Sequence, residues 1–241
     1  MAKDYRAKIQ PMGLSDRHVE MVLGPNNSGN ILQPLWKTRG LMFPYTPMIQ
    51  VQHATVNYGS YDLAHTNYDY FAYQKTSSPS ATVTGVFGAH TQEEAEYMMA
   101  AIHFLRTVTK SNFGASDPNR GTPPPKLAFS AYGDAMFNRT PVYIRTVAFG
   151  LDQDVDYVPV RQRTPDNAVG VSGSPELDKM LKNSYVPLVL NIFVEIMVAP
   201  NPSQLRDEFN LEEFRKGKLL NKGYYKWQII KAVARTVKPK W

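Results

Sequence analysis

Histidine is the side chain of this sequence best suited to acid–base catalysis or metal binding near neutral pH. The five histidines show neither the H-x-x-x-H nor the H-E-x-x-H spacing that places two metal ligands on one helix face. His65 and Asp69 could form a base and its orienting carboxylate, but the sequence has no G-x-S-x-G elbow and no cysteine to activate. We therefore predict no catalytic residues and a protein that is not an enzyme, with an enzyme centred on His65 as the alternative. The histidines are His18, His53, His65, His90 and His103.

The acidic run Asp152–Asp156 resembles the start of a calcium-binding loop. Such a loop needs glycine at its sixth position and a bidentate glutamate at its twelfth, but these positions hold Tyr157 and Arg163. No Walker loop and no G-x-G-x-x-G motif is present to cradle a phosphate. The absence of cysteine also removes disulfides and thiolate metal sites. The sequence therefore predicts no metal site and no cofactor.

The positive charge of the chain is concentrated at its C-terminal end. The formal net charge is +6, and the segment Phe214–Trp241 contains nine Lys and Arg residues and no Asp or Glu. The other 18 basic and 21 acidic residues give the rest of the chain a net charge of −3. This pattern indicates a mildly acidic body with a basic extension, unlike a uniformly basic nucleic-acid-binding domain.

Aromatic residues are mixed with the basic residues of this extension. Such a segment could dock on an acidic partner surface, where Tyr, Trp and Arg often anchor interfaces. It could also bind single-stranded nucleic acid by stacking on bases and contacting phosphates, or be an ordinary solvated tail. We interpret it as a partner-docking tail. The candidate docking residues are Arg215, Lys216, Lys222, Tyr224, Tyr225, Trp227, Lys231, Arg235 and Trp241.

One amphipathic helix is predicted over about residues 91–110. Thr91 and Glu94 have the T-x-x-E spacing of a capping box, in which each side chain bonds the other residue's free amide. Apolar residues then recur at helical spacing along one stripe, which suits a helix that lies across a sheet. The core of the stripe is predicted to consist of Met98, Ile102 and Leu105.

The remaining pattern is that of short strands. The segments YDYFAYQ, ATVTGVF, KLAFSAYG and PVYIRTVAFG are rich in aromatic and β-branched residues and are bounded by Gly, Pro or Ser. Met48–Tyr58 reads as one strand with a bulge near His53, where the apolar phase changes. Tyr185–Ala199 alternates strictly, which predicts a long strand with one buried and one partly wet face. The wet-face residues proposed to line a ring or lumen are Asn191, Phe193 and Glu195.

These elements predict three regions. Residues 1–39 are expected to form an N-terminal arm with a short helix after Ser15, residues 40–200 a mainly β domain, and residues 201–241 a basic C-terminal extension with helical segments. Within the domain, residues 152–184 are expected to be a long loop with one helical turn. The N-terminal residues lack the apolar core of a secretory signal. The apolar run Val186–Val198 is interrupted by Asn191 and Glu195 and is too short to span a bilayer, so we expect a protein without a membrane anchor.

An ordered set of segments resembles the baseplate tube-initiator and tube-cap proteins of contractile-tailed, T-even-like bacteriophages. The resemblance covers roughly Leu41–Val198 and is carried by HTNYDYFAYQ, VFGAHTQEEAEYMMAAIHFLRTVTKSNFG, GTPPPKLAFSAYGDAMFNRTPVYIRTVAFGL and VDYVPV. It implies a tail-tube fold, in which two antiparallel sheets pack as a sandwich or half-barrel with one helix against them. Joining sheets around a ring would remove exposed strand edges.

The resemblance also implies a function. The chain would be a structural virion protein whose homo-hexameric ring connects the baseplate hub to the tail tube and initiates tube polymerisation. Its implied partners are hub proteins, the tail tube protein or a second initiator ring, and the tape-measure protein as a further candidate. DNA would pass through the lumen without specific binding, and assembly would take place in the host cytoplasm. The alternatives are a tail tube protein itself, or a nucleic-acid-binding module that uses the basic aromatic tail.

Overall fold

An antiparallel sheet of seven strands is the largest element of the protein in a computed structural model. The structure describes residues 6–13, 15–61, 64–114, 119–133, 136–153, 155–161, 175–199, 206 and 210–216. In chain order, the strands are β1 (Lys8–Pro11), β2 (Leu41–Met42), β3 (Met48–Gln52), β4 (Val56–Tyr61), β5 (Tyr70–Thr76), β6 (Ser80–Gly88), β7 (Leu127–Ala131), β8 (Phe137–Gly150), β9 (Tyr157–Pro159), β10 (Tyr185–Pro187) and β11 (Val189–Val198).

The large sheet has the strand order β2-β1-β7-β8-β11-β6-β3, and neither β2 nor β3 pairs with a further strand among the described residues. The other strands form two separate antiparallel pairs, β4 with β5 and β9 with β10. The prediction of a mainly β protein is therefore confirmed. The described strands form one dominant sheet rather than two facing sheets. The helices are α1 (Asp16–Leu23), a 3-10 helix (Gln33–Trp36), α2 (Gln92–Val108), α3 (Pro175–Lys182) and α4 (Leu211–Arg215).

Strand β11 lies near the middle of the sheet, between β8 and β6. Its alternation gives one face whose side chains are almost completely buried, and this face packs into the core beneath α2. The opposite side chains are exposed or partly exposed. This is the alternation that the sequence predicts. The buried residues of β11 are Leu190, Ile192, Val194, Ile196 and Val198.

The predicted single strand Tyr185–Ala199 is divided in two, which corrects the expected boundaries. The backbone N–H of Leu188 donates to the Asp156 carbonyl at 2.8 Å, and the Leu188 carbonyl accepts from the Ala89 N–H at 2.9 Å. Residue 188 therefore bonds two different neighbours, and Pro187 has no N–H to continue a ladder. β10 consequently pairs with β9, and only β11 enters the large sheet.

Helix α2 covers the buried face of the sheet and begins at the predicted capping box. The Thr91 side chain accepts from the Glu94 N–H at 3.3 Å, and the Glu94 carboxylate accepts from the N–H groups of Thr91 at 3.2 Å and His90 at 2.9 Å. These backbone bonds, that from His90 first, hold the pKa of Glu94 below its usual value. The helix contacts β6, β8, β9, β10 and the 3-10 helix.

The buried face of α2 is wider than the predicted stripe. Met98 and Leu105 are fully buried, but Ile102 is only partly buried at the edge of the core. Phe104 and Ala101 are fully buried and were not included in the predicted stripe. The sequence pattern did not include Phe104 and Ala101, because a single apolar stripe predicts that the helix packs against one surface only. α2 instead packs against the sheet on one side and the 3-10 helix and β9–β10 on others.

The first 39 residues do not form an extended arm where the structure describes them. β1 lies between β2 and β7 in the sheet, paired with both strands. Ile9, Val19, Leu23 and Leu35 are fully buried. The expectation of an arm is therefore wrong for residues 6–13 and 15–39. β1 has only four residues, and polar side chains lie next to its buried Ile9. This pattern is too short to predict that β1 pairs with β2 and β7.

Strand β3 ends at Gln52, and the predicted bulge near His53 is absent. The chain leaves the large sheet there and starts the separate β4–β5 pair at Val56. The change of apolar phase in the sequence thus marks a change of sheet. In the region predicted to be a long loop, β9 and α3 are found, while residues 162–174 lie outside the described residues. In the described part of the chain, no helix is long and apolar enough to span a membrane.

The capping box predicts a measurable stability contribution. Thr91→Ala should lower the free energy of unfolding by about 1 kcal/mol, because the Glu94 N–H loses its acceptor. Thr107→Ala is the matched control, since Thr107 is exposed inside the same helix and alanine has the higher helix propensity. Urea unfolding followed by circular dichroism measures both. Equal effects of the two substitutions would contradict the assigned cap.

The different burial of Phe104 and Ile102 in α2 predicts different losses of stability when each is replaced by alanine. Phe104→Ala should cost about 3–5 kcal/mol, because it leaves a cavity under a fully buried ring. Ile102→Ala should cost clearly less, since Ile102 remains partly solvated. Thermal and urea unfolding of the two variants would compare them directly. A larger loss for Ile102→Ala would show that the predicted stripe, and not the face in the structure, is the packed one.

Candidate assembly interface

The face of the sheet opposite α2 is bare in the described structure. On β11, Val189, Phe193 and Met197 are 37%, 41% and 39% exposed, and Asn191 and Glu195 alternate with them as partly exposed residues. Cross-strand neighbours extend this face onto β6, β3 and β8. Phe193 lies between Thr84 and Ala148, and Thr84 in turn pairs with Met48. The three residues predicted for the wet face, Asn191, Phe193 and Glu195, therefore all lie on this surface.

Few charges lie on the part of the bare face formed by β3, β6, β11 and residues 142–150 of β8, whereas Lys8 on β1 alternates with buried Ile9 and Lys126 Nζ lies 5.5 Å from the centroid of the Tyr143 ring. In β3, β6, β11 and residues 142–150 of β8, the only charged side chains are Arg145 and Glu195. A register shift in β8 beside Glu195 brings them together, with Arg145 Nη1 3.1 Å from Glu195 Oε1. Thr146 Oγ1 donates to the other carboxylate oxygen at 2.9 Å. Because the pair is partly exposed, it contributes little stability, but its two charges cancel each other.

The surface is thus mixed rather than basic. Phe193, Met197 and Val86 alternate with threonine, serine and glutamine across four strands. A nucleic-acid interface needs lysine or arginine side chains to neutralise phosphates, and on β3, β6, β11 and residues 142–150 of β8 the face offers one arginine, which is already paired with Glu195. This part of the face therefore suits contact with another protein better than phosphate binding.

The two edges of the sheet differ. β3 (Met48–Gln52) has no strand on its outer side among the described residues, and its sequence MIQVQ carries no charge and no proline. Met48 is 57% and Val51 44% exposed. Monomeric proteins normally protect such an edge with charge, proline or a covering element. The uncharged outer edge of β3 is therefore a candidate pairing surface.

The β4–β5 ribbon is a second exposed surface. Its two strands contact each other extensively and form no ladder with the large sheet. Tyr58 and Tyr73 face each other edge-on with ring centroids 6.3 Å apart, yet both remain about 60% exposed. A two-stranded ribbon alone is marginally stable in water. The exposed aromatic residues of the ribbon are Tyr58, Tyr61, Tyr70, Phe71 and Tyr73.

The candidate catalytic pair does not form an enclosed site. His65 and Asp69 are both exposed on the segment between β4 and β5, and neither lines either of the two concave sites beside the 3-10 helix. The smaller site has a volume of about 140 Å³, and two of its polar side chains, Glu96 and Arg161, already bond each other. Among the described residues, no group of three or more His, Cys, Asp or Glu side chains could hold a metal ion.

Arg161 joins β9, α2 and α3 through charge. Its Nε atom lies 3.1 Å from Glu96 of α2, and its Nη1 atom bonds Asp178 of α3. Lys182 contacts the second oxygen of Asp178 at 3.0 Å. Hydrogen bonds from Lys182 and then Arg161 lower the pKa of Asp178. This network positions α3 against α2.

Most of the candidate docking tail lies outside the described residues. Arg215 and Lys216 are described, at the end of α4, where Lys216 contacts Glu213 at 3.6 Å. Asn210 caps this short helix by accepting from the Glu212 N–H at 2.8 Å. Lys222, Tyr224, Tyr225, Trp227, Lys231, Arg235 and Trp241 lie outside the described residues.

The Asp178 network predicts an acid-sensitive α3. A carboxylate with a lowered folded-state pKa stabilises the fold above its unfolded value near 3.8, and this contribution is lost as the pH falls through the lowered pKa. Hydrogen-exchange protection of α3 should therefore drop below about pH 4 in the wild type. Asp178→Asn should show reduced protection already at neutral pH and a flatter pH profile. Glu176→Gln, an exposed change in the same helix, is the control and should keep the wild-type profile.

Comparison with protein-family models finds no match, and comparison with curated protein sequences finds no significant similarity. The described structure has three exposed features: a bare sheet face, an edge strand without a strand on its outer side, and a separate two-stranded ribbon with exposed aromatic side chains.

Proposed function

We propose that this protein is a structural subunit of a contractile phage tail, which forms a ring in the baseplate and initiates the tail tube. The observation that carries the proposal is the combination of one helix-covered sheet face with one bare face that ends at an unprotected strand edge. A protein with these features buries only part of its interacting surface within one chain. It is suited to complete its structure by association with other copies.

The outer edge of β3 is the proposed site at which one subunit pairs with the next. A strand edge offers a row of unpaired N–H and C=O groups to a second chain. When one part of a subunit meets a different part of the next, repeated addition closes a ring if the rotation permits. Ring closure removes the exposed edge that would otherwise favour uncontrolled aggregation. A hexameric ring follows from the segment resemblance.

The bare face suits the inner wall of such a ring. On β3, β6, β11 and residues 142–150 of β8, its charged side chains are Arg145 and Glu195, which pair with each other. A wall of this kind does not bind the phosphates of a passing DNA strand, because phosphate binding depends on unpaired positive side chains. Asn191, Phe193 and Glu195 would face this channel. DNA passage without specific binding is the expected consequence.

The aromatic ribbon suits contact with a neighbouring ring. Aromatic side chains provide large contact area at low entropic cost and are enriched in the centres of interfaces. Because the ribbon forms no ladder with the large sheet and its aromatic side chains are exposed, these side chains are available to contact the tail tube protein or a second initiator ring. The ring would thereby present to the first tube subunits a surface on which they add without an unfavourable nucleation step. The hub proteins would contact the opposite side.

The proposal predicts that assembly depends on β3. Val51→Lys should abolish ring formation, because it places a charge on the pairing edge, while the free energy of unfolding changes by less than about 1 kcal/mol. Met21→Lys is the matched control, since Met21 on α1 is 78% exposed and remote in the chain from this edge. Electron microscopy of each protein, alone and mixed with the hub and tube proteins of its virion, would count rings and tubes.

The role of the β3 edge would be supported if the wild-type chain and Met21→Lys form rings and Val51→Lys does not. A wild-type chain that stays monomeric with both partners, and does not trigger tube growth, would contradict the proposed function. Normal rings formed by Val51→Lys would contradict the role of β3 while leaving ring formation itself intact.

A further inference from the structure

The edge of the sheet opposite β3 is formed by the two-residue strand β2. Leu41 pairs with Ile9 of β1, and the Phe43 N–H donates to the Ala7 carbonyl at 2.9 Å. Backbone groups of successive residues in a strand point to alternate sides. The N–H and C=O of Met42, between these two residues, therefore point away from β1 and toward the outside of the sheet.

A tyrosine from α2 occupies this outer position. The Tyr97 hydroxyl donates to the Met42 carbonyl at 3.0 Å and accepts from the Met42 N–H at 2.9 Å. These are the two hydrogen bonds that a residue of an added antiparallel strand would form with Met42. Tyr97 thus fills the hydrogen-bonding position of a partner strand with a single side-chain oxygen.

The environment of Tyr97 keeps its hydroxyl group protonated. Burial is the largest effect on the hydroxyl and raises its pKa, although the hydrogen bond to Met42 opposes the shift. The hydroxyl therefore stays protonated at physiological pH, and only the protonated form can both donate and accept. Tyr97 is also held in the rigid α2 helix, one turn after the capping box.

Among the described residues, no side chain at the β3 edge takes the role that Tyr97 has at the β2 edge. The described contacts of Met48–Gln52 on its outer side include no side chain that bonds both groups of one residue, and Met48 and Val51 are exposed. Five residues are available there for main-chain pairing, whereas β2 has two residues and its outward groups are satisfied. The two edges of one sheet therefore differ in their capacity to accept a strand.

We infer that Tyr97 closes the β2 edge against strand addition, so that a second copy of this chain can extend the sheet only at β3. The inference rests on the proposed function for the identity of the partner, but the closure itself is a property of the single chain. It prevents two subunits from joining through their β2 edges. The strand added to β3 must therefore come from a part of the neighbour other than β2.

The test compares Tyr97→Phe with Tyr45→Phe in the full chain. Tyr97→Phe removes only the oxygen, while Tyr45 is an exposed tyrosine that lines the same groove beside α2 and serves as the control. Each change is made in the wild type and in the Val51→Lys background, in which the β3 edge carries a charge. The two measurements are the exchange rate of the Met42 amide and the concentration dependence of sedimentation.

We expect Tyr97→Phe to speed Met42 amide exchange by about tenfold, the effect of losing one hydrogen bond. In the Val51→Lys background, it should also lower the concentration at which chains associate by at least about tenfold, through the opened β2 edge. Tyr45→Phe should change neither quantity. Faster exchange without new association would overturn the closure, and unchanged exchange would overturn the contact itself.

The outcomes separate this inference from the proposed function. Assembly by the Val51→Lys parent bears on the role of β3, whereas the difference between that parent and its Tyr97→Phe derivative bears on the β2 edge. Cooperative thermal unfolding of each variant is checked first. If Tyr97→Phe does not fold, Met42 in the wild type decides the question: an amide that exchanges as fast as an unstructured peptide would overturn the inference.

Discussion

Burial of one face of β11 beneath α2 is the constraint on which the rest of the structure depends. Leu190, Ile192, Val194, Ile196 and Val198 are removed from water together, and each fully buried aliphatic side chain contributes about 1.5–3 kcal/mol. A period of two residues means that the same strand must present its other side chains on the opposite face. Covering one face with α2 therefore leaves the other bare.

The neighbouring strands follow from this central one. β6 and β8 pair with β11 along most of its length and place Val83, Phe87 and Val142 in the same core. Gly85 on β6 makes room for the Phe43 ring, since a Cβ atom at this position would lie 2.4 Å from it. Phe43 then packs against Phe87 with ring centroids 5.6 Å apart. This packing anchors the chain that follows β2 against β6, the neighbour of the opposite edge strand β3.

The surfaces proposed for association are the parts that this core does not reach. On the bare face Arg145 pairs with Glu195, and the β3 edge and the β4–β5 ribbon carry exposed apolar side chains. At the β2 edge, by contrast, Tyr97 satisfies the backbone from within the chain. The same helix that buries the core thus determines which edge of the sheet remains available.

The sequence by itself determined the features that depend on near neighbours. The capping box of Thr91 and Glu94, the extent of α2 and the alternation of β11 follow from spacings of two to four residues, and the mainly β class follows from the number of such segments. The placement of β1, the division at Leu188 and the burial of Phe104 did not follow. Only the tertiary structure decided them, because they depend on pairing between distant segments. The closed edge is the clearest case: Tyr97 and Met42 are 55 residues apart, and no local pattern indicates that one hydroxyl will meet both backbone groups of the other residue.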